Sequence, residues 1–167
     1  RSGLRNALVM DPALGLAACR TATWDDTRFG GSGAGAGAAG SVSDPTSPAY
    51  FQQAIGDRVL FAVDQSTLSP EAEATLRGQA GWLLANTDYN VTIQGHADEQ
   101  GTREYNLALG ARRANAAREF LISQGVAGNR IQVVSFGKER PIEICSAESC
   151  YAKNRRAVTV LASGLTG

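Results

Sequence analysis

One acidic and one basic side chain, Asp98 and Arg113, have types and spacing that suit the binding of a zwitterion. Asp98 lies in the polar stretch Gly95-His-Ala-Asp-Glu-Gln-Gly-Thr102, and Arg113 follows on the next predicted helix. Residues three and four apart share a helix face, so Asn106, Leu109 and Arg113 line up beside the loop. Asp98 can therefore accept from an ammonium while Arg113 donates to a carboxylate, each charge-assisted bond being worth about 1.5 to 3 kcal/mol.

This polar loop is predicted to join the end of a strand to the start of a helix. Asn90-Val-Thr-Ile-Gln94 alternates apolar and polar residues, as a half-buried strand does. The helix begins at about Arg103, after Thr102 as its N-cap, and ends at about Gln124, before Gly125. Such a junction is a common place for binding sites in layered α/β proteins.

The rest of the chain after about residue 50 continues to alternate strand and helix patterns. Strands are predicted at 58–63, 131–136 and 157–161, and a helix from Ser69-Pro70-Glu71 to about Ala85. The predicted apolar stripes of the two helices are Ala72, Leu76, Ala80, Leu83 and Leu84, and Leu107, Ala111, Ala114, Ala117 and Leu121. The prediction is a two-layer α/β sandwich, in which two main helices pack on a mixed four-stranded sheet.

The start of the chain has the pattern of an export signal. Arg1 and Arg5 precede a mostly apolar run that ends in Leu16-Ala-Ala-Cys19, where small residues before a cysteine are typical of a bacterial lipobox. Residues 1–18 are therefore predicted to be a signal-peptide remnant, and Cys19 the lipidated residue. A short buried helix that ends in an ordinary cysteine is the alternative, and Asp11-Pro12 interrupts the apolar run.

Residues 19–50 differ in composition from the remainder of the chain. They contain Gly30-Gly-Ser-Gly-Ala-Gly-Ala-Gly-Ala-Ala-Gly40 and then two prolines among small polar residues. A stretch with so few large apolar side chains cannot offset its ordering entropy by burial. It is predicted to be a flexible tether, and residues 51–167 to be the folded domain.

Composition limits the classes of partner and cofactor. Lys plus Arg and Asp plus Glu balance at 16 each, so the total charge does not recruit nucleic acid. The single histidine, His96, lacks the cluster of ligands that a metal site requires, and no cofactor is predicted. The run Asn154-Arg155-Arg156 lacks the aromatic platform of a nucleic-acid site, so it is expected to pack on the floor of the site or to stay solvated.

Two late cysteines, Cys145 and Cys150, are separated by a short loop. In an oxidising compartment they would form a disulfide, worth very roughly 2 kcal/mol by the loop-entropy argument. The alternative is a pair of reduced thiols.

Three motifs, in order along the chain, resemble the peptidoglycan-associated lipoproteins of the OmpA-like C-terminal domain family. They are Gly95-His-Ala-Asp-Glu-Gln-Gly-Thr-Arg-Glu-Tyr-Asn-Leu-Ala-Leu-Gly-Ala-Arg-Arg-Ala-Asn115, Ser135-Phe-Gly-Lys-Glu-Arg-Pro141 and Asn154-Arg-Arg-Ala-Val158. The resemblance implies that Asp98 and Arg113 bind meso-diaminopimelate in the uncrosslinked peptide stem of peptidoglycan. Phe61-Ala-Val-Asp64 matches a family element and is assigned to the rim of the site. Five further residues complete the implied ligand-binding set: Phe61, Asp64, Thr102, Asn106 and Leu109.

The resemblance implies a binding protein and not an enzyme. It implies a monomeric periplasmic domain that a lipid on Cys19 anchors to the outer membrane, and that binds peptidoglycan noncovalently. TolB and other Tol proteins are the implied protein partners, in envelope integrity and cell division. One alternative is a cell-wall hydrolase that uses Asp98 and Glu99 as acid and base, although neighbours in one loop are poorly placed to flank a scissile bond. Another is the same domain as the tail of an OmpA-type porin or as a flagellar stator anchor.

Overall fold

The computed structural model describes residues 40–163. Cys19, residues 1–18 and most of the predicted tether lie outside the described residues. The helical elements are α1 (Pro48–Tyr50), a π-helical segment (Phe51–Gly56), α2 (Pro70–Ala85), α3 (Arg103–Ser123), a 3-10 turn (Gly128–Arg130) and α4 (Glu148–Asn154). The strands are β1 (Arg58–Leu60), β2 (Tyr89–His96), β3 (Ile131–Gly137) and β4 (Arg156–Ser163).

The four strands form one mixed sheet in the order β1-β4-β2-β3. β2 and β3 are parallel, while β4 is antiparallel to both β1 and β2. The predicted mixed four-stranded sheet is therefore confirmed. β2 is an interior strand, and it ends at His96, where the polar loop begins.

The main helices begin and end near the predicted residues because their caps are encoded locally. The Ser69 hydroxyl accepts from the Ala72 amide at the start of α2, and the Thr102 hydroxyl accepts from the Tyr105 amide at the start of α3. Gly125 follows α3 with a φ of 105°, a left-handed conformation that glycine adopts without strain.

The apolar core lies between the sheet and the two long helices. Val91 and Ile93 of β2 pack there with Leu76, Leu83 and Leu121 of the helices. Each such side chain contributes about 1.5 to 3 kcal/mol when it is fully buried. The two-layer sandwich that the sequence predicts is thus present.

α3 contacts β2 at a pair of glycines. A Cβ added to Gly95 would overlap the Gly110 carbonyl, and a Cβ added to Gly110 would overlap the Ser135 hydroxyl. Neither position has room for a side chain, because backbone lies against backbone. This close approach brings Asn106 and Arg113 of α3 beside the end of β2.

Two positions of the predicted apolar stripes are wrong. Leu84 and Leu107 are each 47% exposed, and Ala111 is only partly buried. The buried residues of α3 are Asn106, Leu109, Gly110, Arg113, Ala114, Ala117 and Leu121. The buried face of α3 is thus rotated relative to the predicted one, because its N-terminal half faces a polar site and not the apolar core.

Two elements of the secondary structure also differ from the predictions. β1 ends at Leu60, so residues 61–63 do not continue the strand, and α4 was not predicted. The described end of the predicted tether contacts the domain: Ser47 is buried, and the Trp82 Nε1–H donates to the Pro45 carbonyl over 2.7 Å. A buried indole N–H requires an acceptor, so the packed region extends ahead of residue 51.

Candidate ligand-binding site

Asp98 lies in the loop of residues 97–101, which joins β2 to α3, and it is 8% exposed. One carboxylate oxygen accepts from the Gln100 amide over 3.0 Å, which fixes the turn of the loop. The other oxygen accepts from Nη1 of Arg155 over 3.3 Å. The ion-pair partner of Asp98 is therefore Arg155, a residue that the sequence did not assign to the ligand-binding set.

Arg113 is fully buried, and backbone carbonyls hold its guanidinium. Nε donates to Gln65 over 2.8 Å, Nη1 donates to His96 over 2.9 Å and Nη2 donates to Ala62 over 3.1 Å. The guanidinium carbon also lies 5.3 Å from the centre of the Phe61 ring. Arg113 thereby joins α3 to the end of β2 and to the loop that follows β1.

The charge of Arg113 is kept although it is buried. Burial lowers the pKa of Arg113 to about 10, while the negative charges of Asp98 and Asp64 act in the opposite direction. The residue is thus a cation at neutral pH. Three of its five N–H groups donate to the carbonyls, which leaves two for a further acceptor.

Asp64 and Tyr105 contact each other beside the buried cluster, where the resemblance predicts the rim of a ligand site. The Tyr105 hydroxyl donates to the Asp64 carboxylate over 3.2 Å, and both residues are exposed. Asp64 has a φ of 55°, a left-handed conformation that Asp tolerates better than most residues because of its short polar side chain. The contact connects the loop after β1 to the first turn of α3.

Thr102, Asn106 and Leu109 hold the loop and the helix that follows it. Thr102 caps α3, and Leu109 is buried. The buried Asn106 amide donates from Nδ2 to the Gln100 carbonyl over 2.8 Å. This contact joins the loop of residues 97–101 to the first turns of α3.

Cys145 and Cys150 form the predicted disulfide, with their Cα atoms 5.9 Å apart. Next to it, Glu99 of the loop accepts from the Ser146 hydroxyl over 2.8 Å and from the Tyr151 hydroxyl over 2.9 Å. The disulfide-bonded segment therefore contacts the loop that carries Asp98.

Arg155 connects three parts of the site. Its guanidinium donates to the Phe61 carbonyl over 3.0 Å and forms ion pairs with Asp98 and Glu148. Hydrogen bonding to Glu148 has the largest effect on the pKa of Arg155 and raises it, so Arg155 remains charged. Arg155 and Arg156 are both buried, so they form no exposed basic patch; Arg155 contacts Asp98, whereas Arg156 donates to the Asn154 and Arg140 carbonyls. The one sequence signal for Arg155 was its place in the third motif.

His96 is buried beneath the site and stays neutral at pH 7. Burial, followed by the positive charges of Arg156 and Arg140, lowers its pKa to about 4. Within residues 40–163, neither ring nitrogen has a hydrogen-bond partner, and the ring lies 5.5 Å from that of Phe136. His96 therefore packs as an uncharged ring at the end of β2, where the loop of residues 97–101 begins.

The contacts of the two loop carboxylates do not fit an acid and base pair. Hydrogen bonds from Ser146 and Tyr151 lower the pKa of Glu99, which favours its ionised form. Asp98 is already paired with Arg155. A hydrolase with two carboxyl groups needs one that holds a proton near neutral pH, and Glu99 is shifted the opposite way.

The described part of the chain has neither a metal-binding cluster nor a membrane-spanning helix. Across residues 40–163, His, Cys, Asp and Glu do not come together in any group of three or more that could hold a metal ion. In the same residues, no helix is both long enough and apolar enough to cross a membrane.

Comparison with known families gives the class of the protein. The family model described as the OmpA family matches residues 60–155, a region that includes Asp98, Arg113 and Arg155. A domain of Helicobacter pylori MotB has the same fold, with a TM-score of 0.60 at 19% identity, covering 64% of this chain and 84% of that domain. The chain belongs to the OmpA family.

Within that family, the chain groups with the peptidoglycan-associated lipoproteins. The peptidoglycan-associated lipoprotein of Rhizobium meliloti (strain 1021) is 48% identical over 161 residues, which cover 96% of this chain and 88% of the relative. The crystal structure of the peptidoglycan-associated lipoprotein from Burkholderia pseudomallei is 37% identical, with a TM-score of 0.65, and the match covers 72% of this chain and 98% of that one.

Proposed function

We propose that the domain binds the peptide stem of peptidoglycan without cleaving it, and that the diaminopimelate residue lies over the loop of residues 97–101. The observation that carries the proposal is the charge of the buried site. One carboxylate, Asp98, lies among two guanidinium groups, Arg113 and Arg155. Asp98 and Glu148 pair with Arg155, whereas the Arg113 guanidinium is hydrogen-bonded only to backbone carbonyls within residues 40–163, so a ligand carboxylate could serve as its direct counter-ion.

The free end of meso-diaminopimelate has complementary chemistry. It carries an ammonium and a carboxylate on one carbon, so Asp98 can accept from the ammonium while the carboxylate lies in the positive field of Arg113. Because carbonyls and the loop after β1 cover Arg113, a direct contact would use its two remaining N–H groups after residues 62–65 shift. A lysine at the same position of the stem offers an ammonium alone.

The same proposal includes the place of the protein in the cell. A lipid on Cys19 would hold the chain at the outer membrane, with the domain in the periplasm as a monomer. The support is the Leu16-Ala-Ala-Cys19 motif and the lipoprotein name of the relatives. TolB and other Tol proteins are proposed as partners, in envelope integrity and cell division, on the resemblance of the three motifs.

Sedimentation of the full chain with purified peptidoglycan tests the binding. We expect the protein to bind diaminopimelate-type peptidoglycan, and Asp98→Asn to reduce its affinity about tenfold or more, as expected for a lost charge-assisted bond. Asp88→Asn, at an exposed position outside the site, is the matched control and should bind normally. Equal binding by the wild type and Asp98→Asn would overturn the site assignment.

Two further comparisons sharpen this test. Lysine-type peptidoglycan should bind more weakly than the diaminopimelate type, because it lacks the second half of the zwitterion. Arg113→Lys should lose affinity while Arg112→Lys, at the exposed neighbouring position, should keep it. Thermal unfolding of each variant verifies that it folds. Soluble muropeptides released during prolonged incubation would favour the hydrolase instead.

A further inference from the structure

We infer that the disulfide-bonded segment of residues 142–154, here called the stapled arm, positions the loop of residues 97–101 for its ligand. On this view, opening the Cys145–Cys150 bridge weakens ligand binding while the domain stays folded. The inference rests on the proposed function, because it concerns affinity for the same ligand.

The two ends of the stapled arm are hydrogen-bonded to each other. The buried Asn154 side chain accepts from the Ile142 amide over 2.8 Å and from the Glu143 amide over 3.2 Å, and it donates to the Glu143 carbonyl over 2.8 Å. Between these ends, Cys145 and Cys150 are bonded to each other. The arm therefore has a fixed base and a small covalent ring.

The ring fixes two hydroxyl groups that hold Glu99. Ser146 lies inside the ring and Tyr151 directly follows it, and both hydroxyls donate to the same carboxylate oxygen, Oε1. One donor inside the ring and one directly after it restrict the Glu99 carboxylate more than two independent side chains would, since less freedom is lost when each bond forms.

The ring also acts on the neighbouring loop residue, Asp98. Glu148, inside the ring, forms an ion pair with Arg155, and Arg155 in turn donates to the Asp98 carboxylate over 3.3 Å. Both adjacent carboxylates of the loop are thus held from one ring. Ser146, Tyr151 and Glu148 are positioning residues for Asp98 and Glu99.

The stapled arm lies outside the main apolar core. None of its residues belongs to the core cluster of the described domain, which consists of side chains from the sheet, α2, α3 and adjoining segments. Opening the ring should therefore loosen the arm and the loop while the sheet and long helices remain packed.

Two variants of the full chain test the role of the arm. Cys145→Ser combined with Cys150→Ser opens the ring, and Tyr151→Phe removes a single hydroxyl. Tyr50→Phe is the matched control, since the Tyr50 hydroxyl makes no hydrogen bond within residues 40–163. Hydrogen exchange at residues 97–101 and affinity for a soluble diaminopimelate-type muropeptide are measured for each, and far-ultraviolet circular dichroism monitors the fold.

We expect faster exchange in the loop for both variants. Affinity should fall about fivefold to tenfold for the open ring and about twofold to fivefold for Tyr151→Phe, because the free loop must then be ordered on binding. Tyr151→Phe should add little further loss in a Glu99→Ala background, since the two residues act through one contact. A merely structural role for Tyr151 would give the same loss in both backgrounds.

Several outcomes would contradict this role. Loop exchange that is unchanged in the open-ring variant overturns the inference, and so does faster exchange with unaltered affinity. If the wild-type chain binds no muropeptide, the proposed function fails, and the exchange comparison alone still decides whether the arm orders the loop.

Discussion

The carboxylate of Asp98 and the guanidinium of Arg155 form an ion pair over 3.3 Å, although 57 residues separate them in the chain. Their side chains are 10% and 6% exposed. Removing one partner of such a pair leaves the other charge buried without compensation, which is more damaging than the loss of an exposed pair. Arg155 is therefore central to both the stability and the electrostatics of the site.

Arg155→Ala should lower the free energy of unfolding by about 3 kcal/mol, because Asp98 loses its buried partner and the Phe61 carbonyl loses a donor. Arg155→Lys should recover only part of this, since an ammonium cannot serve Asp98 and Glu148 with the geometry of a guanidinium. Urea denaturation measures both. Arg112→Ala, at an exposed position, should change the value by less than about 0.5 kcal/mol. Equal losses at both arginines would contradict the ion-pair argument.

Local patterns predicted most of the fold and part of the site. Caps such as Thr102 and Gly125, together with strand alternation, act within a few residues and can be read from the sequence. The spacing of Asn106, Leu109 and Arg113 likewise placed all three on one buried helix face. All of these features depend on interactions between residues that are close together in the sequence.

The features that the sequence did not predict depend on contacts between distant segments. Arg155 pairs with Asp98 because β4 lies beside β2 in the sheet, and no local pattern reports that order. Leu107 is exposed because the sheet contacts α3 through Gly110, which turns a different face of the helix inward. Helical periodicity shows which residues share a face of α3. It does not show which face is buried where α3 contacts polar groups and not the apolar core.

The single histidine provides a direct probe of the buried base of the loop. We expect its ring signals in proton NMR spectra to titrate near pH 4, because burial and the charges of Arg156 and Arg140 disfavour the protonated ring. A titration near pH 6.5, the ordinary value for histidine, would contradict the burial of His96.

The same pKa sets how stability depends on pH. The unfolded chain takes up the proton near pH 6.5, before the folded chain does near pH 4, so stability is full above pH 6.5 and falls as the pH drops between these values. Between pH 7.5 and pH 5, the loss from His96 should be about 2 kcal/mol. Urea denaturation across this range measures it, and His96→Gln should remove this part of the slope.

The indole of Trp82 holds the segment that precedes α1. Trp82→Phe keeps the aromatic contacts with Phe51 and Tyr89 but removes the N–H that donates to the Pro45 carbonyl. We expect about 1 kcal/mol lower stability and faster hydrogen exchange at residues 46–51. Unchanged exchange there would show that the contact does not hold the segment to the domain.

Alanine at two glycines should give opposite effects on stability. Gly95→Ala should destabilise the domain by about 3 kcal/mol or prevent folding, because the new Cβ would overlap the Gly110 carbonyl and force α3 away from β2. Gly81→Ala is the matched control: it lies on the exposed side of α2, with no atom within 4 Å of the added Cβ. Alanine favours helix there, so stability should rise by about 0.5 to 1 kcal/mol.

Thermal and urea unfolding measure both glycine variants. The contact of Gly95 with Gly110 packs α3 on β2 and also positions Arg113. Unfolding measures the first effect, and peptidoglycan binding measures the second. Because the contact also places Arg113 beside the end of β2, any Gly95→Ala protein that does fold should bind the ligand more weakly than Gly81→Ala. If Gly95→Ala were as stable as the wild type, α3 would not lie as close to β2 as the backbone contact requires.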